Sequence, residues 1–268
     1  MIGKRDNRVI VRRRTLRSLL RIHTQEDFHK YLITDAVDRA NAILNFQGGF
    51  ALKSVFSICS GSNEAIYLAR YPFERIVLSG VTMPNQELKK LIDADSRIEY
   101  LMLNAENTGI PSASFDLVFC KAGLHHCARP VAALYEMLRI CRKAVAFVEP
   151  YEPALGAIFD WSGLRSRYER DIDLNIACRD NFVFRWQRKF LVNLLNSYYL
   201  DSGCCLDLHL GWMSSRINCH DNRLLRSFMT TCGWLAGFLP GLAGNQLTAV
   251  ILPGRDLPHE PLSLLSDD

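Results

Sequence analysis

At 268 residues, with 49% hydrophobic and 22% charged side chains, the chain can bury about three quarters of its unfolded surface around a sizeable core. No window reaches the roughly 18 apolar residues of a membrane span, and the N-terminus lacks the apolar run of a secretion signal, so a soluble, cytoplasmic protein without a transmembrane segment is expected. The formal net charge of +4 is uneven: residues 1–21 carry +7 and the remainder −3.

The first 24 residues read as a basic arm. Leu16, Leu19 and Leu20 recur at helical spacing, which suits a helix laid on its own domain; the alternative use is contact with an anionic surface. From Gln25 to Phe46, the positions Phe28, Leu32, Val37, Ala40, Ile43 and Leu44 predict an amphipathic helix ended by Gly48 and Gly49. Apolar strand candidates follow at 54–59, 75–79, 98–103, 115–120 and 144–148, separated by helix-like stretches. Short, almost wholly apolar strands between helices mean a parallel sheet covered on both faces.

Residues 129–142 predict a helix with Pro130 in its first turn and Arg139, Arg142 and Lys143 at its carboxyl end, a placement that suits the helix dipole. Further helices are predicted around 161–170, 186–198 and 224–238, with strands near 204–210 and 246–252. A single domain over residues 25–256 with a mobile tail at 257–268 is the expected organisation. Nine cysteines, odd in number and set in apolar runs without a CxxC pair, read as reduced core thiols with no metal site.

Open parallel sheets bind ligands at the carboxyl ends of their strands. The first such loop, Ser57-Ile58-Cys59-Ser60-Gly61-Ser62-Asn63, joins a strand to a helix through one glycine among small polar residues. It suits either the approach of a ligand to backbone N–H groups or simple capping of the helix by Ser62 or Asn63. A second block runs from Ser114-Phe115-Asp116-Leu117-Val118 through Leu124-His125-His126, Arg129-Pro130 and Tyr135-Glu136-Met137-Leu138-Arg139 to Val148-Glu149-Pro150.

In this block the sequence resembles the class I S-adenosylmethionine-dependent methyltransferases, over about residues 50–150. The resemblance implies an α/β, Rossmann-like, mostly parallel sheet with helices on both faces and extra C-terminal helices. It implies S-adenosylmethionine as cofactor, held by Ser57, Cys59, Ser60, Gly61 and Ser62, by Thr82 and Met83, by Asn104, Ala105 and Glu106, and by Lys121. His126, then His125, are the candidate bases if the acceptor is a hydroxyl, and Glu149 and Tyr151 are candidates to bind it or take its proton. The stretch Asn181-Phe182-Val183-Phe184-Arg185-Trp186 is similar to methyltransferase-like proteins of bacterial surface-glycan clusters, which hints at a sugar-like substrate.

Three positions depart from the family. Ser57, Thr82 and Asn104 stand where acids usually help to hold the methionine amine, the ribose hydroxyls and the adenine amino group, and Cys59 and Asn63 replace the outer glycines of the loop. Two function classes follow. One is a methyltransferase acting on a small-molecule or sugar-like acceptor by O- or N-methylation. The other is a non-catalytic member of the fold that binds or scaffolds a protein partner or a second copy. A third use of the same sheet is a site for another nucleotide or anionic ligand.

Overall fold

The computed structural model describes residues 8–46, 51–153, 156, 161, 168–170, 180–199, 203–211, 213, 218–236 and 244–253. In chain order the elements are β1 (Arg8–Arg13), α1 (Leu16–Leu19), α2 (Gln25–Phe46), β2 (Ser54–Ile58), α3 (Ser62–Leu68), β3 (Arg75–Gly80) and α4 (Gln86–Ala94). There follow β4 (Ile98–Met102), β5 (Phe115–Lys121), α5 (Pro130–Ile140), β6 (Cys141–Pro150) and the short pair β7 (Tyr168–Arg170) and β8 (Asp180–Phe182). The described elements end with α6 (Arg188–Tyr199), β9 (Cys204–Gly211), α7 (Arg223–Ala236) and β10 (Gln246–Pro253).

Eight strands form one sheet in the order β1-β9-β10-β6-β5-β2-β3-β4. Only β10 runs against its neighbours β6 and β9; the other neighbouring pairs are parallel. The carboxyl ends of seven strands therefore share one rim. Side chains alternate between faces with the period of two that a pleated strand imposes. Val55, Ile76, Leu78, Leu117, Phe119, Ala144 and Ala146 pack under α2, α3 and α4, while Phe56, Ile58, Val77, Val118, Val145 and Phe147 pack under α5 and α6. Burial on both faces is why the strands read as unbroken apolar runs.

Three expectations are corrected. Residues 8–13 are no arm: they form an edge strand parallel to β9, with Arg8 opposite Cys205 and Arg13 opposite Leu210. Their pairing is anchored by Arg14, 2% exposed, whose Nη2 donates to Thr248 Oγ1 at 2.8 Å and whose Nε lies 4.0 Å from Asp35. Second, α5 stops at Ile140, so Arg142 and Lys143 belong to β6 and serve Asp116, at 3.5 and 3.3 Å, rather than a helix end. Third, residues 168–170, expected to close a helix, form β7 paired with β8. Gly48, Gly49, most of the 161–170 helix, Cys178 and the tail at 257–268 lie outside the described residues; the described cysteines are free thiols.

Candidate active site

The loop after β2 is closed by its own atoms. Ser57 is fully buried, and its Oγ and carbonyl both accept from Ser60 Oγ, at 2.6 and 2.7 Å. Ser60 N donates to Ser79 O at 2.8 Å, and Gly61 N donates to Glu64 Oε2 at 2.8 Å, as a carboxylate at the third helical position does when it caps a helix start. Ser57 therefore braces the loop from within the sheet and does not face the crevice. Ser62 keeps a buried hydroxyl without a hydrogen-bond partner among the described residues. Cys59 takes a φ of +52°, a left-handed conformation that favours glycine, which is the residue type the resemblance leads one to expect there.

Lys121, at the end of β5, lies 3.1 Å from Glu64 Oε1 and 3.4 Å from His29 Nδ1. Both partners of the Lys121–Glu64 pair are largely buried, so the ammonium expected to neutralise a ligand already neutralises Glu64. Burial first, and then the Lys121 charge, hold the His29 imidazole below its usual range.

The loops after β3 and β4 are more open. Thr82 is exposed, with its carbonyl accepting from Tyr100 Oη at 2.8 Å, and Val81 and Met83 are 64% and 68% exposed. The Tyr100 hydroxyl fills the space that a side chain at Gly80 would need. Asn104 is exposed and its Oδ1 accepts from Glu106 N at 2.9 Å; Ala105 is buried. Glu106 accepts from Arg129 N and Nε, both at 2.7 Å, and the bond to the guanidinium, working against burial, holds its carboxyl below the usual range.

The loop after β5 is organised by Glu149. This carboxylate at the end of β6 is fully enclosed; Oε1 accepts from Gly123 N and Leu124 N at 2.8 Å, and Oε2 from His125 N at 3.3 Å and His125 Nδ1 at 2.7 Å. Glu149 is thus a positioning residue and not an open acceptor-binding group. His125 is buried, whereas His126 is exposed with its ring tilted against that of His125, 4.1 Å between centroids. Tyr151 is buried, its backbone bonded to Asn245 O. Beneath the loop, Cys59, Cys120 and Cys127 share thiol hydrogen bonds. The bond with Cys120, opposed by that with Cys127 and followed by burial, pushes the Cys59 thiol up, and the bond with Cys59, followed by burial, pushes the Cys127 thiol up, which keeps both protonated near neutrality.

Residues 59–148 match the family model described as a methyltransferase domain. That stretch is similar to methyltransferase domains. The fold of the chain is similar to that of the plantazolicin methyltransferase BpumL, solved with SAH, at 13% identity and TM-score 0.53 over 86% of this chain and 88% of that one. A Methanosarcina mazei SAM-dependent methyltransferase aligns at 14% identity and TM-score 0.50 over 79% and 96%. A chain from the complex of the Haloferax volcanii Trm112 activator with its methyltransferase aligns at 12% and 0.50 over 85% and 93%. A comparison with curated proteins found no match.

The residues of these loops would suit the neutral part of S-adenosylmethionine. Exposed Val81 and Met83 offer apolar surface, Thr82 and Asn104 present polar groups, and Ser62 has an unused buried hydroxyl. The acids around the rim are committed elsewhere: Glu64 to Lys121, Glu106 to Arg129 and Glu149 to the 123–125 loop. Glu64 was open to detection in the sequence as the acid three residues after Gly61; the reach of Tyr100 over Gly80 had no local signal. A cavity of about 420 Å³ lies elsewhere, between α2 and Asp207 of β9, and none of these loop residues lines it.

Proposed function

We propose that the chain is a methyltransferase that modifies an oxygen or nitrogen nucleophile of a small-molecule or sugar-like acceptor, with His126 at the acceptor. The observation that carries the reading is the chain of contacts behind His126. Glu149, wholly enclosed, holds His125 Nδ1 at 2.7 Å, and the His125 ring backs the exposed His126 ring at 4.1 Å. An ionised carboxylate only accepts, so His125 Nδ1 donates to it and the ring is fixed in one orientation. His126 is thereby presented at the strand-end rim as an imidazole able to take a hydroxyl or ammonium proton.

When bound, S-adenosylmethionine supplies a methyl group activated by a sulfonium, and alignment with the acceptor is then most of what remains to be provided. Val81, Thr82, Met83 and Asn104 are the residues we assign to its adenosine, and Ser62 to its amino-acid end. Ser57, Cys59, Ala105, Glu106 and Lys121 support those loops from behind.

The test is calorimetric titration with S-adenosylhomocysteine, followed by its release during turnover on a panel of small hydroxyl and amine acceptors. Binding should be retained and turnover lowered at least about tenfold in His126→Ala, the lower range for a lost general base being about 10². Wild-type turnover in that variant would remove His126 from the site. Because the rim's three acids are internally committed, a second reading is a binding subunit of the same fold. Absence of any heat at millimolar ligand would favour it.

A further inference from the structure

Helix α7 carries an apolar stripe on its outer side. Leu224, Leu225, Phe228, Cys232 and Leu235 fall within about 100° of one another on a helix of 3.6 residues per turn. All five face solvent, with Leu224 82%, Phe228 66% and Leu235 54% exposed. The opposite side meets the domain through Trp234, which packs on the core and whose Nε1 donates to Arg14 O at 3.0 Å, and through polar groups: Thr230 is buried and accepts from Asn218 Nδ2, and Arg226 donates to His220 O. A helix that buries polar groups and exposes an apolar stripe has a partner outside the domain.

Charge identifies the partner. α7 packs against α1, and around this pair the exposed arginines Arg17, Arg21 and Arg223 outnumber the exposed acids of the described residues, Asp221 before α7 and Glu26 at the start of α2. A second copy of the same face would bring these arginines against their like. An anionic surface neutralises them while the stripe enters its apolar layer, as amphipathic helices lying in a membrane interface do. Arg14, to whose carbonyl α7 is bonded, directly follows the carboxyl end of β1, so the stripe lies on the same rim of the sheet as the loops of Gly61, Lys121 and His126.

We infer that α7 and α1 form a docking surface for an anionic lipid bilayer, one that holds the active-site rim against it without a membrane-spanning helix. The inference is independent of the assigned chemistry, because docking is read without cofactor or acceptor. The test is co-sedimentation of the full chain with vesicles of phosphatidylcholine alone and of equal parts phosphatidylcholine and phosphatidylglycerol. The protein is expected to pellet with the anionic vesicles and to bind neutral ones at least about tenfold more weakly. Binding should fall steeply in about 0.5 M salt, where exposed charges are screened.

Leu224→Ser combined with Phe228→Ser should reduce binding at least about tenfold with the unfolding midpoint held within about 2 °C, since both side chains are solvent-facing. Arg17→Glu with Arg21→Glu should do the same. No pelleting, equal binding by the serine variant, or a concentration-dependent dimer that this variant dissolves in the absence of vesicle binding would overturn the inference, the last in favour of a second copy.

Discussion

Replacing Glu149 by Gln separates the carboxylate's role from its shape. The amide oxygen can keep the two 2.8 Å bonds from Gly123 N and Leu124 N, but the amide nitrogen then sits where Oε2 was, facing His125 N–H and Nδ1. One charge-assisted bond is lost, at about 1.5–3 kcal/mol, and a donor is set against a buried donor, at about 1–3 kcal/mol more. A shift of the His125 proton to Nε2, which leaves Nδ1 as acceptor for the amide, recovers part of this, so the expected net loss is about 3 kcal/mol. At roughly 2–4 °C per kcal/mol for a chain of this size, the thermal midpoint should fall by about 6–12 °C. Urea unfolding of wild type, Glu149→Gln and Glu149→Asp measures it; the aspartate, which keeps the charge but retracts it by one methylene, should fall between. A loss under about 0.5 kcal/mol in Glu149→Gln would refute the view that this carboxylate organises the histidine loop.

Arg14→Ala should cost about 1–3 kcal/mol in the same assay, because it leaves buried Thr248 without its donor while Arg39, 3.2 Å from Asp35, still neutralises that carboxylate; an unchanged midpoint would mean that β1 contributes nothing. Glu136 is held at about 2 by its hydrogen bond to Arg139, with Thr108 adding to it. Its folded value is depressed, so its stabilisation is present above the unfolded value near 4.5 and lost as pH falls toward 2, and Glu136→Gln should flatten the acid limb of stability by up to about 3 kcal/mol. Thr82→Asp, which restores an acid at an exposed position on the crevice loop, should tighten S-adenosylhomocysteine by about 1–3 kcal/mol in calorimetry; unchanged affinity would place this loop away from the ligand.

The parallel sheet was legible because strands buried on both faces carry no polar alternation: Val55 to Ile58 and Ala144 to Val148 stand out as apolar runs between helices. β1 was hidden because its Val9-Ile10-Val11 core is flanked by Arg8, Arg12 and Arg13, and its partner strand begins at Cys204. No local window contains that pairing. In the site, the order of loops along the rim could be read from turn chemistry and the resemblance. Which polar groups face a ligand could not, because that depends on contacts between distant strands. Ser57 is spent on Ser60, Lys121 on Glu64, and Glu149 on three backbone N–H groups 24 to 26 residues earlier in the chain. The histidines illustrate the same limit: adjacent in sequence, one is buried against a carboxylate and the other is exposed.

The pairing of β1 with β9 also bears on how the chain is born. Arg8 meets Cys205 and Arg13 meets Leu210, so β1 leaves the ribosome well before the strand it pairs with. At about 5–20 residues per second, synthesis of the intervening segment takes roughly 10–40 s. Over that time the β2-to-β6 portion can assemble while Val9, Ile10 and the Arg14 guanidinium stay in water. Docking of the N-terminal strand is then the closing event of folding, and a bulky fusion placed ahead of residue 8 acts on that event more than on the assembly of the catalytic half.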